Sequence, residues 1–209
     1  MAVISLKAQN LASLSALALL QLLAGYFVTQ GKIDLSQFKS LASTGGAALA
    51  LSVVTAWFSY LLPTDIKNSL VFLRLKCALP GHRFLKLSRS DSRIDFELLK
   101  HRVADFDALD NNPLRQNQYW YKEIYRPIAN ELEVASVHKS YLLYRDAAAI
   151  SLICIIILGG TLILSPSIAG LINQKGLIIF TLFFIGFVVA ANSTGRRFVT
   201  TSVAIYLSK

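Results

Sequence analysis

The run AAAISLICIIILGGTLIL, residues 147–164, decides the fold. It carries no charged side chain and lies inside a longer uncharged window, 147–174. Three more such windows occur, at 8–31, 40–64 and 176–195, so all of the Lys+Arg 21 and Asp+Glu 12 fall outside them. A soluble helix needs a polar face toward water. A membrane helix needs about 20 apolar residues to cross about 30 Å of hydrocarbon. The cores LASLSALALLQLLAGYFV (11–28), LASTGGAALALSVVTAWFSYLL (41–62) and GLIIFTLFFIGFVVAA (176–191) meet that length or approach it. The first two are rich in Ala and Ser, the last two in large aliphatic and aromatic residues. Backbone groups go unpaired in lipid at high cost, so the spans should be helices. The pattern argues against a soluble protein, a disordered chain or a wholly basic nucleic-acid-binding domain.

The predicted fold class is a mostly α integral membrane protein. Four transmembrane helices carry a mainly helical cytoplasmic insert between spans 2 and 3. Residues 1–63 form the first transmembrane hairpin, 64–146 the insert, and 147–209 the second hairpin with a short cytoplasmic tail. The first span reads as retained: Lys7 precedes it, but Ala24-Gly25-Tyr26 is a poor cleavage site. With four spans, eighteen Lys and Arg fall on the side of the termini and insert, and three (Lys32, Lys39, Lys175) on the other. The positive-inside rule makes the insert and both termini cytoplasmic. Trp57, Tyr60 and Tyr26 read as interface anchors. Ala12-x-x-x-Ala16 and Gly46-x-x-x-Ala50 permit close helix approach. Gln21, polar at mid-depth, should find a partner across a helix contact or face water. Gln21, Gly46 and Ala50 are the candidate helix-packing residues, either inside one protomer or at the seam of a homo-oligomer.

The insert contains all three His and most of the charge. Pro63-Thr64-Asp65 starts a helix holding Ile66, Leu70, Leu73 and Cys77, ended by Pro80-Gly81. Residues 82–87 alternate loosely and suit a short strand or extended linker. Ser90-Asp91-Ser92 reads as the cap of a helix with Ile94, Leu98 and Val103. Asp110-Asn111-Asn112-Pro113 is a turn. A helix then carries Gln116 to Tyr125, with Pro127 kinking or restarting it. Val134, Val137, Tyr141, Tyr144 and Ala148 make a heptad-like, core-facing stripe.

Catalytic sets are missing: there is no phosphate-binding Gly loop, Gly-x-Ser-x-Gly, His-Glu-x-x-His or Cys-x-x-Cys. The expectation is a non-enzyme without metal or cofactor. Asp91 and Asp95 around Arg93 suit a helix start better than a metal. The run Arg115 to Tyr121 mixes an Arg, amides and aromatics; it suits a stacked base or a domain core with a polar rim. Arg115, Asn117, Trp120, Tyr121, His82 and Arg83 are the candidate partner or ligand contacts, with His82-Arg83 suited to a phosphate or a solvated loop.

The runs LPGHRFLKLSRSDSRID (79–95), QNQYWYKEIY (116–125) and VHKSYLLYRD (137–146) resemble a family of small bacterial membrane proteins. These are the effectors encoded beside a reverse transcriptase in anti-phage retrons. The resemblance covers about residues 79–165. It implies a toxin-like inner-membrane protein, silent until infection, that then damages the membrane and aborts the infection. The implied partners are the lipid bilayer, further copies of the chain and a reverse transcriptase–msDNA complex, with no direct nucleic-acid binding expected. Such effectors usually have two spans, whereas this chain reads with four. The rival reading is a non-enzymatic scaffold or sensor subunit of another defence complex.

Overall fold

The computed structural model describes residues 5–30, 46–164 and 174–209. All regular structure among them is helical. The helices are α1 (Leu6–Gln9), α2 (Leu11–Gln30), α3 (Gly46–Leu61), α4 (Thr64–Phe72), α5 (Phe84–Arg89), α6 (Phe96–Arg102), α7 (Phe106–Asp110), α8 (Pro113–Tyr119), α9 (Arg126–Ile128), α10 (Leu132–Leu164) and α11 (Gln174–Leu207). Two compact units form: Met1–Pro63 with Leu143–Val188, and Thr64–Leu142 with Val189–Lys209. The boundary falls inside α10 and α11, so the last residues of the chain group with the insert.

Three helices among the described residues are long and apolar enough to cross a membrane: Leu11–Thr29, Leu132–Ile163 and Gln174–Leu207. Four were expected. The second window gives only the 16-residue α3. At 1.5 Å per residue it rises about 24 Å, short of the hydrocarbon thickness. Pro63 ends the apolar run that α3 belongs to, and residues 40–45 of that run, with Lys32 and Lys39 before it, lie outside the described residues.

The first unit pairs its helices in consistent registers. Lys7 Nζ sits 3.4 Å from the Tyr60 ring centroid, and Ser15 Oγ bonds Ser52 Oγ at 3.4 Å. The two pairs step in opposite directions along the chain, so α3 runs antiparallel to α2. Gly25 faces Phe180 and Gly176 faces Thr29, so α11 is also antiparallel to α2. Its core gathers Leu14, Ala147, Ala148, Ile150 and Phe187. Ala147, Ala148 and Ala149 of α10 are fully buried, and their small side chains let backbones approach. Val53, Trp57, Tyr60, Ile156, Ile163, Ile178 and Leu182 point outward, each more than half exposed. So much exposed apolar surface is what a lipid-facing bundle requires.

The second unit departs from the sequence reading in three places. α4 stops at Phe72 rather than reaching Cys77, because Leu73 turns to a left-handed φ of 51°. Residues 80–83 form a 3-10 turn and 84–89 a helix, where a strand or linker was expected. Phe84, Leu85 and Ser88 are its buried residues, at helical spacing. The cap of α6 is Asp95, which accepts from Leu98 N at 3.0 Å, and not Ser90–Ser92. Asp91 pairs instead with Arg93 at 2.8 Å.

Other expectations hold. The chain turns at Asn111 between α7 and α8; beyond that reading, Asn112 caps α8 by accepting from Arg115 N at 3.1 Å, with Pro113 in its first turn. The helix widens to a π segment, Trp120–Tyr125, just before Pro127. Pro127 has no N–H, so one ordinary helical hydrogen bond is lost there, and wide turns absorb such a defect. Val134, Tyr141 and Ala148 of the stripe are buried. Phe72 and Tyr141 press on Gly195, where an added Cβ would lie 2.6 Å from Phe72 Cζ and 3.0 Å from Tyr141 Cδ2.

Candidate functional site

The residues singled out in the insert separate into two faces. Trp120 is buried. It stacks on Tyr125 at 5.5 Å and meets Phe198 edge-on at 5.2 Å. His138 lies flat on Phe198 at 4.4 Å, and the Tyr125 hydroxyl meets its Nδ1 at 3.0 Å. Trp120 is therefore engaged by the core through one stacked and one edge-on contact. Asn117 and Trp120 close over Gly81, where any Cβ would clash with both. Arg115 and Tyr121 are exposed on the other side of the helix. The mixed run is thus a core face with a polar rim, and a base could stack on Trp120 only by displacing Tyr125 or Phe198.

Behind Gly81 the chain builds a basic cavity of about 600 Å³. His82, Arg83, Lys86 and Arg89 line it from the 3-10 turn and α5; Asp110 and Gln116 line it from α7 and α8. His82 and Arg83, adjacent in the chain, both line it. Lys86, Arg89 and Gln116 were missed as a group. Residues 83, 86 and 89 share one helix side only when the segment is helical; the strand reading placed 83 and 86 on opposite faces. Gln116 Nε2 donates to Asp110 O at 3.1 Å, and Asn117 Oδ1 is buried without a hydrogen bond. Burial lowers the Arg83 pKa from its usual value, with Arg74 and Arg196 adding to the effect by repulsion. Burial likewise lowers His82; its hydrogen bond with the Leu79 carbonyl opposes this, and Arg83 adds to it.

The helix-packing residues also separate. Gln21 is buried and accepts from Ser151 Oγ at 2.6 Å, while its own Nε2 donates to Leu17 O at 3.3 Å. It lines a second, apolar cavity of about 160 Å³ with Thr55, Phe58, Cys154 and Phe180. Gly46 is the first residue of α3, and Ala50 is exposed. At the N-terminal end of the bundle, Lys7 lies 3.9 Å from the buried Asp146, which also pairs with Arg145 at 3.2 Å.

Among the described residues, no group of three or more His, Cys, Asp and Glu side chains converges as a metal site. Both cysteines are free thiols. No family model matches the chain, and no curated protein or solved structure matches it either.

Proposed function

We propose that this protein is the membrane effector of an anti-phage, retron-type defence system, a non-enzyme that compromises inner-membrane integrity on activation and so aborts the infection. The resemblance over 79–165 supplies the system. The observation that carries the physical part is the unused small-residue surface of the bundle. Ala12, Ala16 and Ala50 are exposed, so no helix among the described residues of the same protomer covers them. In lipid, small residues on open helix faces favour close contact with another helix, and a second copy supplies one. Self-association of apolar helices is a direct route to a permeability defect. In this reading the protein sits in the bacterial inner membrane as a multi-pass protein. Its termini and insert are cytoplasmic, where a reverse transcriptase–msDNA complex restrains it.

The test is dye entry and cross-linking in cells induced to express the chain. Ala50→Leu and Ala16→Leu add bulk on the open faces without adding polarity. Both variants should insert normally, lose cross-linked oligomers and lose dye entry. A wild type that leaves dye exclusion and membrane potential unchanged when triggered would replace this reading with a scaffold or sensor subunit.

A further inference from the structure

We propose that the basic cavity of the insert binds a phosphate group carried on a hydroxylated residue, of the glycerol phosphate type. Three cations line it, Arg83, Lys86 and Arg89, against one carboxylate, Asp110. Arg83 Nε is buried and makes no hydrogen bond, and Gln116, 5% exposed, leaves its Oε1 buried and unmatched. The two orphans ask for opposite chemistry. Arg83 wants an anionic acceptor, and a guanidinium fork suits two phosphate oxygens. Gln116 Oε1 wants a donor, which a phosphate diester or dianion lacks and a neighbouring hydroxyl supplies. A buried polar atom without a partner is rare in a folded protein, and two beside one cavity point to a ligand that satisfies both.

Size and surroundings narrow the class. About 600 Å³ lies in the range of small-molecule sites, and it exceeds what one inorganic phosphate fills. Trp120 packs in the core against Tyr125 and Phe198, and no Phe, Tyr or Trp ring lines the cavity, so a nucleobase would find only the His82 imidazole and the guanidinium planes. The unmatched Gln116 acceptor beside three cations favours a phosphate on a polyol. It has two sources with the same chemistry: the headgroup of phosphatidylglycerol, or a soluble glycerol phosphate. The site does not depend on the membrane-damage reading and would bind its ligand if that reading failed.

The experiment uses the full chain in nanodiscs and reads acylation of Lys86 by mass spectrometry, with the highly exposed Lys122 as internal control. In one arm, glycerol 3-phosphate is titrated against nanodiscs of phosphatidylcholine alone. In the other, phosphatidylglycerol is built into the disc. One arm should slow labelling of Lys86 about tenfold relative to Lys122, and that arm identifies the source. Arg89→Gln, at an exposed position, should weaken the protecting ligand about tenfold, the affinity equivalent of one charge-assisted hydrogen bond. Arg83→Gln should abolish protection, with Arg83→Lys intermediate because the fork is lost and the charge kept. Equal slowing at Lys122, protection unchanged by Arg89→Gln, or no protection in either arm at millimolar ligand would overturn the proposal.

Discussion

Ser151 Oγ lies 2.6 Å from Gln21 Oε1, joining α10 to α2 at a point where both residues are almost wholly buried. The Ser151 hydroxyl also reaches Ala147 O at 2.9 Å, so its single proton is shared between two acceptors. Gln21 is therefore spent inside the protomer rather than offered to a pore or to a second copy. Gln21→Leu should cost about 0.6–2 kcal/mol of bundle stability, the range for a hydrogen bond between membrane helices. Ser151→Ala should cost about as much, and a double-mutant cycle in detergent unfolding should give coupling of the same size. Cross-linked oligomers should survive both changes.

The registers of the first unit make a topological prediction that does not depend on the length of α3. Lys7 meets Tyr60, and Thr29 meets Gly176, so the chain returns to its starting end by Leu61 and starts its final descent from the far end. Reporter fusions at Asp110 and Lys209 should read cytoplasmic, and those after Lys32 and Lys175 periplasmic. A cytoplasmic reading after Lys32 would leave the first hairpin outside the bilayer.

Gly195 tests the packing of the second unit. Replacing Gly by Ala within a helix gains about 1 kcal/mol of propensity. Here the new Cβ meets Phe72 and Tyr141, both buried, and overpacking costs about 1–3 kcal/mol. The clash should win, since neither ring is free to swing away. Gly195→Ala should lower the melting temperature, and Gly195→Ala with Phe72→Leu should recover part of the loss.

How much of this was legible follows from which signals are local. Uncharged length, turn composition and helical spacing are local, so the long helices, the turn before Pro113 and the inward stripe at Val134, Tyr141 and Ala148 could be read directly. The cavity could not. It depends on residues 80–89 coiling, and loose alternation over six residues does not separate a strand from a short amphipathic helix. Asp91 does not cap because it is held by Arg93, and what fixes Arg93 is non-local. Arg93 bridges Asp91 to Thr200 and Thr201, at 3.1 and 3.5 Å, more than a hundred residues along the chain.

Two titrations should make the insert acid-sensitive in separate windows. His82 has its pKa lowered from 6.5, first by burial. Above pH 6.5 it is neutral folded or unfolded, and its full contribution is present. As pH falls below 6.5 the unfolded chain takes the proton first, and stability is lost until the folded value is reached. Asp91 is held well below its usual 3.8, first by its hydrogen bond to Arg93. Its contribution is present above pH 3.8 and is lost as pH falls below that. Thermal melts in chloride should decline between pH 7 and 5. His82→Gln should remove that decline, and Asp91→Asn should flatten the curve only below pH 4.

Neighbours along α8 and the π segment should behave in opposite ways, which separates a core from a contact surface. Trp120 fills the core against Tyr125 and Phe198, so Trp120→Ala should cost about 3–5 kcal/mol and reduce the folded protein recovered. Arg115 is exposed beyond the cavity lining, and its backbone N–H, not its side chain, serves the Asn112 cap. Arg115→Ala should therefore shift stability by no more than about 0.5 kcal/mol. Tyr121 is 49% exposed and leans on Tyr125 at 5.7 Å, so Tyr121→Ala should fall between the two. With folding intact in the Arg115 and Tyr121 variants, any change in pull-down of a cytoplasmic partner reports on the surface itself. If Arg115→Ala unfolds the insert, or Trp120→Ala leaves its melting temperature unchanged, this division into core face and rim is wrong.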